Sequence, residues 1–199
     1  MKYLLILIMM VGTLSLNAQN RPTQTQQKTT TQATASKTFT LTNGKLGPIQ
    51  VGKKFANIPA TYSGLYDKYT RKKETMSDED GEWTVDYYQF TKGGKNIFRI
   101  DLSEDKSIQS ITLQEGSAAI VKTPEGFYVG YPARTLFTKK KMEWDNYYMG
   151  TVFATDGKYT YHVNSNDVTS EIPTAASQFK SNAKVSQIEY SDYQESDYY

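Results

Sequence analysis

Glu82-Trp-Thr-Val-Asp-Tyr-Tyr-Gln-Phe90, Thr91-Lys-Gly-Gly-Lys-Asn96 and Ile97-Phe-Arg-Ile-Asp-Leu102 follow one another without a gap. Two runs rich in aromatic and β-branched residues flank a glycine pair, and that pattern predicts a β-hairpin. In the second run Phe98, Ile100 and Leu102 alternate with Ile97, Arg99 and Asp101. A strand turns successive side chains to opposite faces, so one face is mostly apolar and meets a core while the other is mostly polar. Ser103-Glu-Asp-Lys106 then turns the chain into Ile108-Gln-Ser-Ile111-Thr-Leu113, which completes an antiparallel meander.

Outward from this meander the chain reads as the same unit twice. Gly47-Pro-Ile-Gln-Val51-Gly52 opens one stretch and Gly126-Phe-Tyr-Val129-Gly130 the other, with an apolar residue six positions past each last glycine, Ile58 and Leu136. The stretches close on Ile108 to Leu113 and on Val185-Ser-Gln-Ile188-Glu-Tyr190. In the second, Tyr148-Met-Gly-Thr-Val-Phe-Ala154, the pair Asp156-Gly157 and Lys158-Tyr-Thr-Tyr-His-Val163 repeat the hairpin signal. Helical pattern falls on Lys53 to Lys72, interrupted by Pro59 and Gly64, and on Ala133 to Lys141, with a short turn around Thr174 to Phe179. The expected fold class is α+β: two tandem copies of a short helix followed by an antiparallel β-meander, about 44–115 and 122–190, forming one domain over 38–190. The competing reading is two unrelated β-rich stretches that share common turn residues.

The ends are different in kind. Lys2 precedes an apolar run, Tyr3 to Val11, that tails to Ala18 and is too short for the about 20 residues that span a bilayer. Residues 1–18 read as a secretory signal peptide. Gln19 to Lys37 holds Gln, Thr, Ser and Ala without a large apolar side chain and reads as a disordered polar linker. Residues 191–199 form an acidic, tyrosine-rich tail. With no cysteine in the chain, disulfides, thiolate chemistry, cysteine zinc sites and an acylated-cysteine lipid anchor are not expected. A formal charge of +2 suggests neither nucleic acid nor an anionic membrane as partner. The expected location is the periplasm or the extracellular space.

At Gly47-Pro-Ile-Gln-Val-Gly52, followed by Ile58, Pro59 and Leu65-Tyr66, the chain resembles a family of small bacterial envelope proteins of unknown function. More loosely, its helix-then-meander units are similar to the duplicated α+β scaffold of β-lactamase-inhibitor-like proteins, which also occurs in small outer-membrane assembly lipoproteins. The resemblance spans about Leu41 to Tyr190 and implies no catalytic residues, since the family offers none to carry over.

Chemistry is sparse. The single histidine, His162, sits in an expected strand, and no Gly-x-Ser-x-Gly elbow surrounds any serine. Ser77-Asp-Glu-Asp80-Gly81-Glu82 lacks the spacing of a calcium loop and reads as a solvated turn. Arg71-Lys72-Lys73 and Lys139-Lys140-Lys141 fall near expected helix ends, where cations complement the macrodipole. Neither catalytic residues, metal ligands nor cofactors are expected. Sixteen tyrosines against two tryptophans favour recognition surfaces, because tyrosine combines contact area with a polar tip. Trp83, Tyr87, Tyr159 and Tyr161 are the expected binding positions, unless that alternating stripe faces the core. The leading expectation is an exported, non-enzymatic protein-binding module of the cell envelope. The alternative is an envelope hydrolase or small-ligand carrier with a pocket between the repeats, built from acids such as Asp86, Asp101 or Glu143.

Overall fold

The computed structural model describes residues 37–56, 58–78, 81–147 and 150–192. The expected signal peptide, all but the last residue of the expected linker, and the tail from Tyr193 onward lie outside the described residues, as do Glu79, Asp80, Tyr148 and Met149. Three two-residue strands, β1 (Phe39–Thr40), β2 (Lys45–Leu46) and β3 (Ile49–Gln50), open the fold. A first meander follows: β4 (Lys68–Asp78), β5 (Gly81–Lys92), β6 (Lys95–Leu102) and β7 (Ile108–Leu113). After β8 (Val121–Lys122) and a single short helix, α1 (Ala133–Lys139), come β9 (Trp144–Tyr147), β10 (Thr151–Asp156), β11 (Tyr159–Asn164) and β12 (Val185–Ser191).

These two sets of four strands form one eight-stranded antiparallel sheet in the order β4-β5-β6-β7-β12-β11-β10-β9, joined where β7 pairs with β12 (Ile188 opposite Leu113, Tyr190 opposite Ile111). The glycine pair works as a tight turn because Gly93 and Gly94 both have positive φ, 54° and 78°, which suits the right-handed twist of a hairpin.

The α+β expectation is corrected here. The protein is mostly β, built on one large sheet, and among the described residues it holds one α-helix instead of a helix before each meander. Where a first helix was expected, over Lys53 to Lys72, the chain forms turns and isolated bridges (Lys54 with Ser107, Tyr62 with Tyr66) and then enters β4. Gly64 at φ 86° and Pro59 stop helix propagation. Beyond them, Lys68 to Asp78 is rich in good helix formers, but pairing with β5 along eleven positions overrides that weak preference. Arg71, Lys72 and Lys73 therefore sit on an edge strand, where charge discourages pairing with other chains, and not at a helix end. Lys139, by contrast, does lie in the last turn of α1.

One face of the sheet is covered. Phe90, Phe98, Ile100, Ile111, Leu113, Tyr161, Val163, Ile188 and Tyr190 pack with Leu41, Leu46, Ile49, Leu65 and Tyr66 from the opening segment and with Phe127, Leu136 and Phe179 from the connections around α1. Phe90 stacks on Phe98 at 4.4 Å and meets the edge of Tyr66 at 4.8 Å, while Phe127 contacts Tyr161 at 5.8 Å. Among the described residues the β4–β5 hairpin continues beyond the sheet without a third strand beside it. β5 pairs with β4 out to Gly81 opposite Asp78, but with β6 only as far as Tyr87 opposite Asp101. Residues 73–78 and 81–86 thus project as a two-stranded arm.

Candidate functional site: the polar face of the sheet

Alternation along each strand assigns the remaining residues to the opposite face. In register across it run Thr70, Gln89, Arg99, Thr112, Glu189, Thr160 and Thr155, a polar row through seven strands. Beside it lies Lys72, Tyr87, Asp101, Ser110 and Ser191, and on the other flank Gln187, His162, Phe153 and Asp145. At one corner Ile97 is capped by the 3-10 turn of Glu115–Ser117, whose Gly116 has no room for a β-carbon against the Asn96 carbonyl. Elsewhere the described side chains of this face are mainly polar, and Gln89, Ser110 and Thr112 at its centre are buried, at 4%, 4% and 2% exposure.

The centre is dense. Arg99 lies over the Tyr87 ring at 5.3 Å, and its Nε is 3.4 Å from Asp101 Oδ2. The Tyr87 hydroxyl donates to Glu74 across the β4–β5 pair. Burial, and then that bond, push the Tyr87 hydroxyl up to about 12. Ser110 Oγ donates to Asp101 Oδ2 at 2.8 Å. Gln89 gives its amide to the Phe98 carbonyl at 3.0 Å and to Gln114 at 2.7 Å. Glu189 is raised above the usual carboxylate range by burial, and next by the Asp101 charge. Burial, with the Arg99 charge second, lowers His162 to about 4, so its imidazole is neutral. Among the described residues, four buried polar atoms of this face are without a hydrogen-bond partner: Arg99 Nε, Asp101 Oδ1, Thr112 Oγ1 and His162 Nε2. Folded proteins leave few such groups unpaired.

The expected binding residues divide between the two faces. Trp83 stands on the arm, 44% exposed and paired with Met76 on the polar-face side. Tyr87 lies on the polar face, 5% exposed under Arg99 and Glu74. Tyr159 and Tyr161 point the other way. Tyr159 is half-buried and donates to the Leu41 carbonyl at 2.7 Å, and Tyr161 is 1% exposed among Phe127 and its neighbours. Both belong to the core-facing stripe, and burial pushes both hydroxyls up.

The acids of the hydrolase alternative are not brought together. Asp86 pairs with Arg71 on the arm, on the side away from Asp101, and that guanidinium holds its carboxyl below the usual range. Glu143 lies by the far edge strand, in a shallow groove along Lys141 to Asp145, Phe153 and Thr155. A second open groove is lined by Thr42, Asn43, Lys45, Gln50 and Tyr62. Among the described residues no group of three or more histidines and carboxylates is placed to hold a metal ion, and no helix is long and apolar enough to cross a membrane.

The residues that sequence reading missed are Thr112, Ser110, Glu189 and, as more than a packing residue, His162. Arg99 and Asp101 were assigned to a polar face by alternation. That Glu189 would stand across β7 from them depends on the β7–β12 register, a pairing of strands some eighty positions apart that no local pattern encodes.

Fold and face together define a mostly-β protein with one broad antiparallel sheet, cored on one side and polar on the other. No family model matches the chain, and no curated protein matches it. Among solved structures it is similar to the uncharacterized protein yfeY from Escherichia coli, with a TM-score of 0.50 and 17% identity over 76% of this chain and 99% of that one. The likeness is one of fold.

Proposed function

We propose that this chain is an exported protein of the bacterial envelope, or a secreted one, that binds another protein through the polar face of its sheet and the projecting arm, without catalysis. The observation that carries the reading is the asymmetry of the sheet. One face is closed by the chain's own aromatic and aliphatic side chains, while the other is polar, with Arg99 lying over the buried Tyr87 at its centre and the exposed Trp83 standing on the arm. Tryptophan, tyrosine and arginine dominate the energetics of protein interfaces, because each offers a large rigid area with a polar or charged end. The arm supports the same reading, since a two-stranded ribbon standing alone is marginal in water and gains by docking. Export is supported by the apolar run of Tyr3 to Val11 behind Lys2.

The test is site-specific photocross-linking of the full chain in its own cells, with the photoreactive residue at Thr70, Trp83 or Thr160, or at the control positions Glu104 and Lys184 away from the face. One protein species captured from the first three positions and not from the controls is the expected result. Capture should fall at least tenfold in the double variant Trp83→Ala, Tyr87→Phe. Trp83→Ala alone should change stability by no more than about 0.5 kcal/mol, as exposed sites do. Equal capture from control positions, or recovery of the chain in the cytoplasmic fraction, refutes the proposal.

A further inference from the structure

β4 is an outer strand of the sheet, and its edge runs for eleven residues, Lys68 to Asp78. The outer strand on the other side, β9, has four. A row of free backbone N–H and C=O groups templates a further strand, so exposed edges are kept short, bent by a bulge, interrupted by proline or covered. Among the described residues β4 has none of these. Its register with β5 is unbroken from Lys68 opposite Thr91 to Asp78 opposite Gly81, it contains no proline, and no strand lies on its outer side. Its protection is charge, and that charge is divided by sign along the strand. Lys68, Arg71, Lys72 and Lys73 come first, and Glu74 and Asp78 follow. Such an edge resists most strands, but a copy of itself laid antiparallel brings each basic half against the other's acidic half. We infer that β4 is the interface of a symmetric dimer, in which it pairs antiparallel with β4 of a second copy about a two-fold axis at Thr75.

Charge selects the register. Unlike charges directly opposite each other favour a strand pair and like charges oppose it. With Thr75 opposite its own copy, Lys72 stands opposite position 78 of the second copy, Lys73 opposite Ser77 and Glu74 opposite Met76. An axis at Lys73 or at Glu74 would set that residue against itself, and an axis at Met76 would set Glu74 against Asp78. The faces agree with the same axis. On the polar-face side the arm carries Met76, Val85 and the exposed Trp83 with no core beneath them, while its other side carries Lys73, Thr75, Ser77, Thr84 and Asp86. A two-fold axis perpendicular to the sheet keeps both polar faces on one side. It also sets the two Met76 side chains on a diagonal across the axis, within reach of each other, so that two small apolar patches join into one. The inference goes beyond the proposed binding function and does not depend on it, because pairing uses the backbone edge of β4 and leaves both polar faces open.

Sedimentation equilibrium of the full chain, from micromolar to millimolar concentration, should show a reversible equilibrium between monomer and dimer. Lys72→Glu and Asp78→Lys should each raise the dissociation constant by about tenfold, because each change sets like charges opposite one another twice in the dimer. An equal mixture of the two variants should associate as the unaltered chain does. In that mixed dimer the two changed positions face each other, and so do the two unchanged ones. A misfolded variant could not regain association on mixing, so the mixture separates lost pairing from lost folding. A monomer at every concentration overturns the inference. So does a dimer that neither variant weakens, or a mixture that associates no better than each variant alone.

Discussion

Acidification should destabilise this protein through His162, the single histidine in the chain. On the polar face, opposite Gln187 and Phe153, its imidazole is desolvated and near the Arg99 charge, which lowers it from 6.5 to about 4. The unfolded chain therefore takes up a proton near its ordinary value while the native protein refuses it until about 4. For a base lowered in the fold, the stabilising contribution is complete above pH 6.5 and is lost progressively as the pH falls toward 4. Between pH 8 and pH 5 the linkage relation gives a loss of about 2 kcal/mol. With a urea slope of about 2 kcal/mol per molar, that moves the unfolding midpoint down by about 1 M. The assay is urea unfolding of the native chain and of His162→Gln at half-unit steps from pH 8 to pH 4.5. Glu189 acts in the opposite sense, because a carboxyl raised in the fold favours the native state as the pH falls. It is present in both proteins, and their difference isolates the histidine. The difference in stability should shrink by about 2 kcal/mol from pH 8 to pH 5. Parallel profiles would refute the claim that this histidine is held neutral.

Two further outcomes test the packing that positions the face. Phe98→Ala, at a fully buried ring stacked on Phe90 at 4.4 Å, should cost about 3–5 kcal/mol in urea or thermal unfolding. Gly116→Ala places a β-carbon 2.4 Å from the Asn96 carbonyl, so the turn must pull away from β6. The expected cost is about 1–3 kcal/mol, with amide shifts at Asn96 and Ile97 in NMR spectra.

What was legible in the sequence was the local pattern with a period of two. The run from Glu82 to Leu102 announces β5, its glycine turn and β6, and Ile108 to Leu113 and Val185 to Tyr190 announce β7 and β12, because aromatic and β-branched residues alternate there with polar ones. Lys68 to Asp78 did not announce itself. An edge strand with few apolar side chains has no face to encode, and its lysines, arginine and glutamate mimic an exposed helix. That gap cost the fold class: without β4 the first meander lacks its outer strand, and the residues before it were read as a helix. Ala133 to Lys139 was legible as a helix because Ala133 and Leu136 fall three positions apart and both reach the core.

The candidate site divides on the same physical line. Alternation put Arg99 and Asp101 on a polar face, since both belong to a strand whose other face is plainly apolar. It could not choose among tyrosines. Tyr87 and Tyr161 each sit in an aromatic run, and one lies under Arg99 while the other lies in the core, because the face of a strand is set by what packs against it elsewhere in the chain. The grouping of Ser110 with Asp101 and Glu189 needs three strands in register, two of them joined only through tertiary pairing. A site made by register is invisible to motif reading. It is also fragile in a particular way: a one-residue slip of β12 on β7 would carry Glu189 into the core and bring Ile188 or Tyr190 onto the polar face. Burying a carboxylate among Phe98, Leu113 and Tyr161 is far costlier than exposing an isoleucine. The same polar row that leaves its atoms unpartnered therefore fixes the register that assembles it.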